Sequence, residues 1–265
     1  MSTIRVLVSG ACGSMGQHVV RAVHREKDME LVAAVDPAGI DKDIGEIVLG
    51  APLGIRVMGH LQAAIEQSKP DVMVDFTHPD VVLDNVTTAL DAGVACVVGT
   101  TGLSETDLKV IQRVCSRRKV PCIIAPNFSL GANLMMRFAA EAAKYYEYAE
   151  IIERHHERKA DAPSGTAMKT AEMMAEARGE PLRSVPTAHE QLPGSRGGEL
   201  GGLRIHSVRL PGYVANQEVV FGGQGETLVI EHITTSRECF MPGVLLAIRR
   251  VREFDGLVYG LDALL

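Results

Sequence analysis

Apolar positions along the first half of the chain come in short, β-branched runs. Residues 4–8, 31–35, 72–76, 95–98 and 122–125 each read as a strand. Between them the spacing turns helical. Val19, Val20 and Val23 share one helix face, and residues 79–92 and 105–118 read as helices. Ser104 and Asp107 form a capping box at the start of the latter. Strands separated by helices imply a parallel sheet with right-handed crossovers, and such sheets bind ligands at the carboxyl ends of their strands.

After residue 128 the order changes. Residues 131–144 predict a helix with Leu134, Met135, Phe138 and Ala142 facing a core. A buried strand is expected at 149–152. Ser164 is a good helix cap, and Ala167, Met168, Ala171, Met174 and Ala175 follow at helical spacing to about residue 178. Residues 181–202, rich in Pro and Gly, read as a long loop. Strands at 203–209, 218–222 and 227–235 then follow without intervening helices, the pattern of antiparallel pairing. A last helix is expected over 240–254, with Val244, Leu245, Ile248 and Val251 on one face.

The first strand leads into Gly10-Ala11-Cys12-Gly13-Ser14-Met15-Gly16 and then a helix. Strand, glycine turn and helix together are the context in which glycines let a backbone approach a pyrophosphate, which then rests on the helix N-terminus. The spacing is G-x-x-G-x-x-G, not G-x-G-x-x-G, and a tight turn without a ligand is the plainer alternative. Asp36 closes the second strand twenty residues after Gly16, where an acidic side chain accepts from a ribose 2′-hydroxyl. Pro37 follows, so no arginine stands beside it to neutralise a 2′-phosphate. That favours NADH, an effect Lys42 can offset, and the expected cofactor is NADH and/or NADPH. Two further strand-end loops, Gly99-Thr100-Thr101 and Ala125-Pro126-Asn127-Phe128, are candidates for the nicotinamide end.

The expected fold class is therefore α/β, a Rossmann-type doubly wound parallel sheet, plus an α+β domain with a mostly antiparallel sheet. Residues 1–127 form the dinucleotide-binding domain and 128–236 a second domain for substrate binding and oligomerisation. Residues 237–265 form a C-terminal helix returning to the first domain.

Residues 150–167, EIIERHHERKADAPSGTA, concentrate the chemistry. His155, His156 and Lys159 stand within twelve residues of the helix start at Ser164. Imidazoles and an amine facing the N–H groups of a new helix suit an anionic substrate whose reaction needs a proton. Adjacent strand residues point to opposite faces, so one of the two histidines has a plain structural alternative. No cysteine or acidic spacing suggests a metal site, and none is expected.

Composition narrows the partners. The net charge is −6, with 46% hydrophobic and 23% charged residues, which offers no broad attraction for nucleic acid or an anionic membrane. No apolar run reaches the ~18 residues of a membrane span, and the first residues do not read as a signal peptide. Five cysteines, odd in number and without C-x-x-C spacing, read as reduced thiols in a cytoplasmic protein. Cys12 is the only one of them in a functional loop, and there it reads as a small side chain that fits.

The run HHERKADAPSGTA resembles the signature of the 4-hydroxy-tetrahydrodipicolinate (dihydrodipicolinate) reductase family of the diaminopimelate–lysine pathway. So do GACGSMG, GTTGL, APNFSLGAN and SRECFMPGVLLA, and the resemblance spans essentially the whole chain. It implies His155 as acid/base residue and Lys159 as proton donor. His156, Gly165 and Thr166 would hold a small dicarboxylate substrate. Gly10 to Met15, Asp36, Gly99 to Thr101 and Ala125 to Phe128 would hold the cofactor. A homotetramer joined through the sheets of the second domain is implied as well. Asn216 stands where the family usually has a histidine, so it can hydrogen-bond but not carry charge. Other amino-acid dehydrogenases share this domain plan, and a nucleotide-sensing protein without turnover would share the fold.

Overall fold

The computed structural model describes residues 3–265 and divides into two compact units, one running to Phe128 and resuming over Phe240–Leu265, the other Ser129–Cys239. The first unit contains β1 (Ile4–Ser9), α1 (Ser14–Arg25), β2 (Met29–Val35), α2 (Ile44–Leu49), β3 (Val57–Met58) and α3 (Leu61–Ser68). It continues through β4 (Val72–Asp75), α4 (Pro79–Asp91), β5 (Ala95–Val98), α5 (Glu105–Arg118) and β6 (Cys122–Ile124). The second unit holds α6 (Leu130–Ala142), β7 (Tyr148–His155), α7 (Gly165–Arg178), β8 (Gly198–Leu200), β9 (Leu203–Arg209), β10 (Ala215–Gly223) and β11 (Glu226–Thr234). The chain then re-enters the first unit with α8 (Met241–Arg250) and β12 (Leu257–Tyr259).

The seven strands of the first unit are all parallel and run β12-β6-β5-β4-β1-β2-β3. Every residue of β4 and β5 is buried, as expected of central parallel strands covered on both faces. Successive strands step outward from β1 in opposite directions, to β2 on one side and β4 on the other. That reversal is the switch point where open α/β sheets bind ligands. Helix α1 buries Gly16, Val19, Val20 and Val23, the expected stripe, and α5 opens on the expected capping box with both of its hydrogen bonds made. Sequence periodicity did not reveal α2, β3 and α3, whose elements are only two to eight residues long. It also missed β12, a three-residue strand that pairs with β6.

The second unit has a five-stranded sheet in the order β11-β10-β7-β9-β8. Three of its four pairings are antiparallel, and the central pair, β7 with β9, is parallel because α7 carries the chain back across the sheet. Strand β8 lies inside the stretch expected to be loop. Helices α6 and α7 cover one sheet face, with Ala139, Ala143, Ala171 and Met174 packed on Ile151, Ile205, Val219 and Phe221. The inward face of α6 is rotated from the expected one: Ala132, Met135, Met136 and Ala139 are buried, while Phe138 is 54% exposed. Leu134 and Phe138 fit the helical period, but the positions that join the sheet core include the small Ala139 and Ala143.

Candidate active site

In the first unit the glycine loop is shaped by contacts that no side chain could share. Gly10 has φ +77°, and a Cβ there would sit 2.2 Å from the Phe76 carbonyl oxygen. At Gly16 a Cβ would stand 1.9 Å from the Gly10 carbonyl oxygen, so α1 starts directly against the turn. Gly13 differs: it is exposed, and the nearest atom to an added Cβ is 3.2 Å away. It caps α1 without a side-chain hydrogen bond, and no acidic residue stands in the first turn. No carboxylate of the helix's own first turn occupies its positive end, and its cap offers close approach, which is what a pyrophosphate requires. Of the other turn residues, Ser14 is exposed and Cys12 and Met15 are half-buried. Burial and the Asp36 carboxylate push the Cys12 thiol upward despite nearby Lys42, which makes it a poor nucleophile.

Asp36 follows β2 and is tied to the glycine loop. Its Oδ2 accepts from the Cys12 backbone N–H at 2.9 Å and its Oδ1 from that of Ala38 at 2.8 Å. These bonds fix the carboxylate beside the turn while leaving lone pairs for a further donor.

Gly99 is required by packing, since a Cβ would enter the Phe76 ring at 2.0 Å. The Thr100 hydroxyl is committed inside the protein: it donates to Asp75 Oδ1 at 2.7 Å and accepts from the Thr77 N–H at 2.7 Å. Thr101 is exposed at the same strand end. Ala125 and Phe128 are buried, and the Phe128 ring lies 5.9 Å from that of Phe76, while Pro126 and Asn127 stand closer to the surface.

In the second unit β7 runs to His155, three residues further than expected, so His155 closes the strand and His156 follows it. Glu153 and His155 are two residues apart and therefore share a face with buried Ile151. Across the parallel pair, Glu153 is opposite Ser207 and His155 opposite Arg209. The Glu153 side chain is fully buried. Arg209 grips it with Nη1 to Oε2 and Nη2 to Oε1, both at 2.8 Å. His155 Nδ1 is 2.5 Å from Oε2, and the Ser164 backbone N–H donates to Oε1 at 3.2 Å. Burial alone would raise the pKa of this carboxyl. Hydrogen bonds from His155, Arg209 and Ser207 outweigh burial and hold it at about 2.

The Lys159 ammonium donates to both oxygens of Asp161, at 2.7 and 2.9 Å, and that bond holds the Asp161 carboxyl below its ordinary value. The Ala162–Pro163 peptide is cis. Ser164 caps α7, its hydroxyl accepting from the Ala167 N–H at 3.2 Å. Gly165 and Thr166 form the first turn, and no atom lies within 4 Å of a Cβ built on Gly165, so its backbone is open to an approaching group. His156 Nδ1 is buried without a hydrogen-bond partner among the described residues. Asn216 Oδ1 accepts from the Thr234 backbone N–H at 3.0 Å and so ties β10 to β11, a task that needs no charge.

Two residues of this cluster, Glu153 and Arg209, were not singled out from the sequence. For Glu153 a signal existed in its i, i+2 spacing from His155 on a strand. Arg209 lies 54 residues beyond His155 and carries no local signal at all.

A model of the dihydrodipicolinate reductase N-terminus matches residues 4–128, and one of its C-terminus matches residues 131–265. A 4-hydroxy-tetrahydrodipicolinate reductase from Desulfitobacterium hafniense is 51% identical over 263 residues, covering 99% of this chain and 98% of the relative. The reductase of that name from Moorella thermoacetica is 51% identical over 265 residues, covering 100% and 99%. Among solved structures, a dipicolinate-bound dihydrodipicolinate reductase from Paenisporosarcina sp. TG-14 superposes with a TM-score of 0.88. It is 43% identical and covers 99% of this chain and 100% of that one.

Proposed function

The chain belongs to the dihydrodipicolinate reductase family, and from that premise we propose that it reduces 4-hydroxy-tetrahydrodipicolinate to tetrahydrodipicolinate in lysine biosynthesis. The observation that carries this reading is the grouping of His155, Lys159 and the open first turn of α7 within twelve residues. The reaction consumes one hydride and one proton and releases the 4-hydroxyl as water, with hydride added at ring C4 and the proton at C3. A reduced nicotinamide dinucleotide supplies the hydride when bound. The residues to hold it are Gly10 to Met15, Asp36, Gly99 to Thr101 and Ala125 to Phe128.

The substrate carries two carboxylates. The α7 start, with Gly165 and Thr166, supplies backbone donors and positive potential to one of them, and His156 is the expected second anchor. Lys159 is the expected proton donor to C3. The Asp161 carboxylate holds its ammonium by two hydrogen bonds, at 2.7 and 2.9 Å. His155 is the expected acid/base partner that manages the proton lost and regained in dehydration and protonation. Both NADH and NADPH are accommodated: Asp36 accepts from a ribose 2′-hydroxyl, and Lys42, whose charge reaches the neighbouring Cys12, offers a 2′-phosphate its counter-charge.

A homotetramer joined through the second unit's sheet completes the proposal. The helix-free face of that sheet exposes Val229 and Ile233 on β11, 49% and 58% accessible in the single chain. Light scattering should then report four times the chain mass of 28.5 kDa.

The deciding experiment follows NADH oxidation with freshly made dihydrodipicolinate synthase product. Aspartate semialdehyde and homoserine-type substrates serve as controls for a related dehydrogenase. Lys159→Ala should lower kcat by about 10²–10⁴-fold, the scale of a lost general acid. Near-wild-type turnover removes Lys159 from the mechanism, and cofactor binding without any turnover by the wild type refutes the reductase reading.

A further inference from the structure

Glu153 makes no contact with bulk solvent, yet its two oxygens receive donors from three separate segments. One is His155 at the end of β7, the second is the Ser164 amide at the start of α7, and the third is Arg209 at the end of β9. Arg209 extends the clamp further, since Nη2 also donates to the Asp161 carbonyl oxygen at 2.6 Å, within the loop that carries Lys159. We propose that Glu153 is a positioning residue for the reaction, fixing His155 in the Nδ1–H tautomer and setting the start of α7 through the Ser164 amide. This rests on the reductase reading for its kinetic consequences but not for its tautomer.

The reasoning is donor–acceptor accounting. A guanidinium fork bonded to both oxygens needs an ionised carboxylate, and an ionised carboxylate has only lone pairs to offer. The short contact to His155 Nδ1 therefore requires the proton to reside on Nδ1. In neutral His155 the bare nitrogen is Nε2, and in the imidazolium the proton that can leave is the one on Nε2. The imidazole thus exchanges protons at one atom only. A buried ion pair adds little net stability over an apolar pair of similar size. What it provides at a strand end is orientation, here of an imidazole, a helix start and the lysine loop by one group.

The substitution that isolates this role is Glu153→Gln. The amide oxygen can still accept from Arg209 Nη2 and the Ser164 N–H, so the α7 start is retained. The amide nitrogen then faces His155 and Arg209 Nη1 as a donor, which drives His155 to the Nε2–H tautomer. Two measurements test it. Nitrogen-15 spectra of histidine-labelled protein, with the His155 signals assigned by their loss in His155→Asn, should show Nδ1–H in the neutral wild type and Nε2–H in Glu153→Gln. Steady-state kinetics should show kcat lowered ~10²–10³-fold while KM for the substrate stays within ~3-fold.

A wild-type His155 protonated on Nε2 overturns the proposal even if the variant fails to fold, and so does a Glu153→Gln enzyme with unchanged kcat. A wild type that shows the Nδ1–H tautomer but no turnover of the dicarboxylate refutes the reductase reading instead.

Discussion

The buried carboxylate at the end of β7 makes an acid-stability prediction whose size follows from its environment. Glu153 is held at about 2 against an ordinary 4.5, which corresponds to about 3 kcal/mol of preference for the ionised form in the folded state. A depressed carboxyl contributes fully above its unfolded value and loses its contribution as pH falls through the folded one. The window is therefore pH 4.5 down to 2. Linkage gives about 2 kcal/mol remaining at pH 3.5 and about 1 kcal/mol at pH 2.5. Glu153→Gln is the reference, because glutamine has the shape of the protonated acid and does not titrate. Urea unfolding of both proteins at pH 7, 5, 3.5 and 2.5, followed by circular dichroism, should show the wild type ahead by about 3 kcal/mol at neutral pH. That gap should close on acidification. Other paired carboxylates, such as Glu150 with Arg196 and His206, titrate equally in both proteins and cancel in the difference. A gap that stays constant from pH 7 to 2.5, or no gap at pH 7, would refute the view that Glu153 is ionised and paired in the folded protein.

Lys42→Ala should lower kcat/KM for NADPH about tenfold and leave that for NADH nearly unchanged; an equal fall with both cofactors would remove Lys42 from 2′-phosphate recognition. Gly16→Ala places a methyl 1.9 Å from the Gly10 carbonyl oxygen, so the turn must open. Titration of nicotinamide fluorescence should then show at least ~10-fold weaker NADH binding, and wild-type affinity would sink the close-packing account of the loop. Thr100→Val removes the donor to buried Asp75 and the acceptor for the Thr77 N–H, and should cost about 1–3 kcal/mol in urea unfolding. If instead the variant keeps its stability and loses NADH affinity, the Thr100 hydroxyl serves the cofactor and not the strand ends.

What the sequence made legible was whatever lies close together along the chain. The glycine turn, the Ser104–Asp107 box, and the His155-to-Thr166 run each sit within a few residues, and periodicity or capping chemistry reads them directly. Short elements escaped because a two-residue strand such as β3 has no period to detect. The parallel pairing of β7 with β9 escaped because sequence order alone does not say on which side a returning strand docks. The rotation of α6 escaped because both Phe138 and the small Ala139 fit the helical period, and hydrophobicity favours the larger residue although the smaller one is buried. The same rule holds in the site: His155 and Lys159 announced themselves as neighbours, whereas the Glu153–Arg209 pair joins residues 56 apart and exists only once the sheet has formed.

The pairing of β12 with β6 has a consequence for how the protein is made. Leu257 follows Cys122 by 135 residues, so at ~5–20 residues per second a ribosome delivers β12 roughly 7–27 s after the strand it pairs with. During that interval the nascent first unit carries an open sheet margin at β6 while the entire second unit is still being synthesised. Unpaired strand margins are where growing chains recruit the wrong partner. Here the vulnerable margin is only three residues long. A strand that brief offers little template to a neighbouring nascent chain on the same polysome before β12 arrives to cover it.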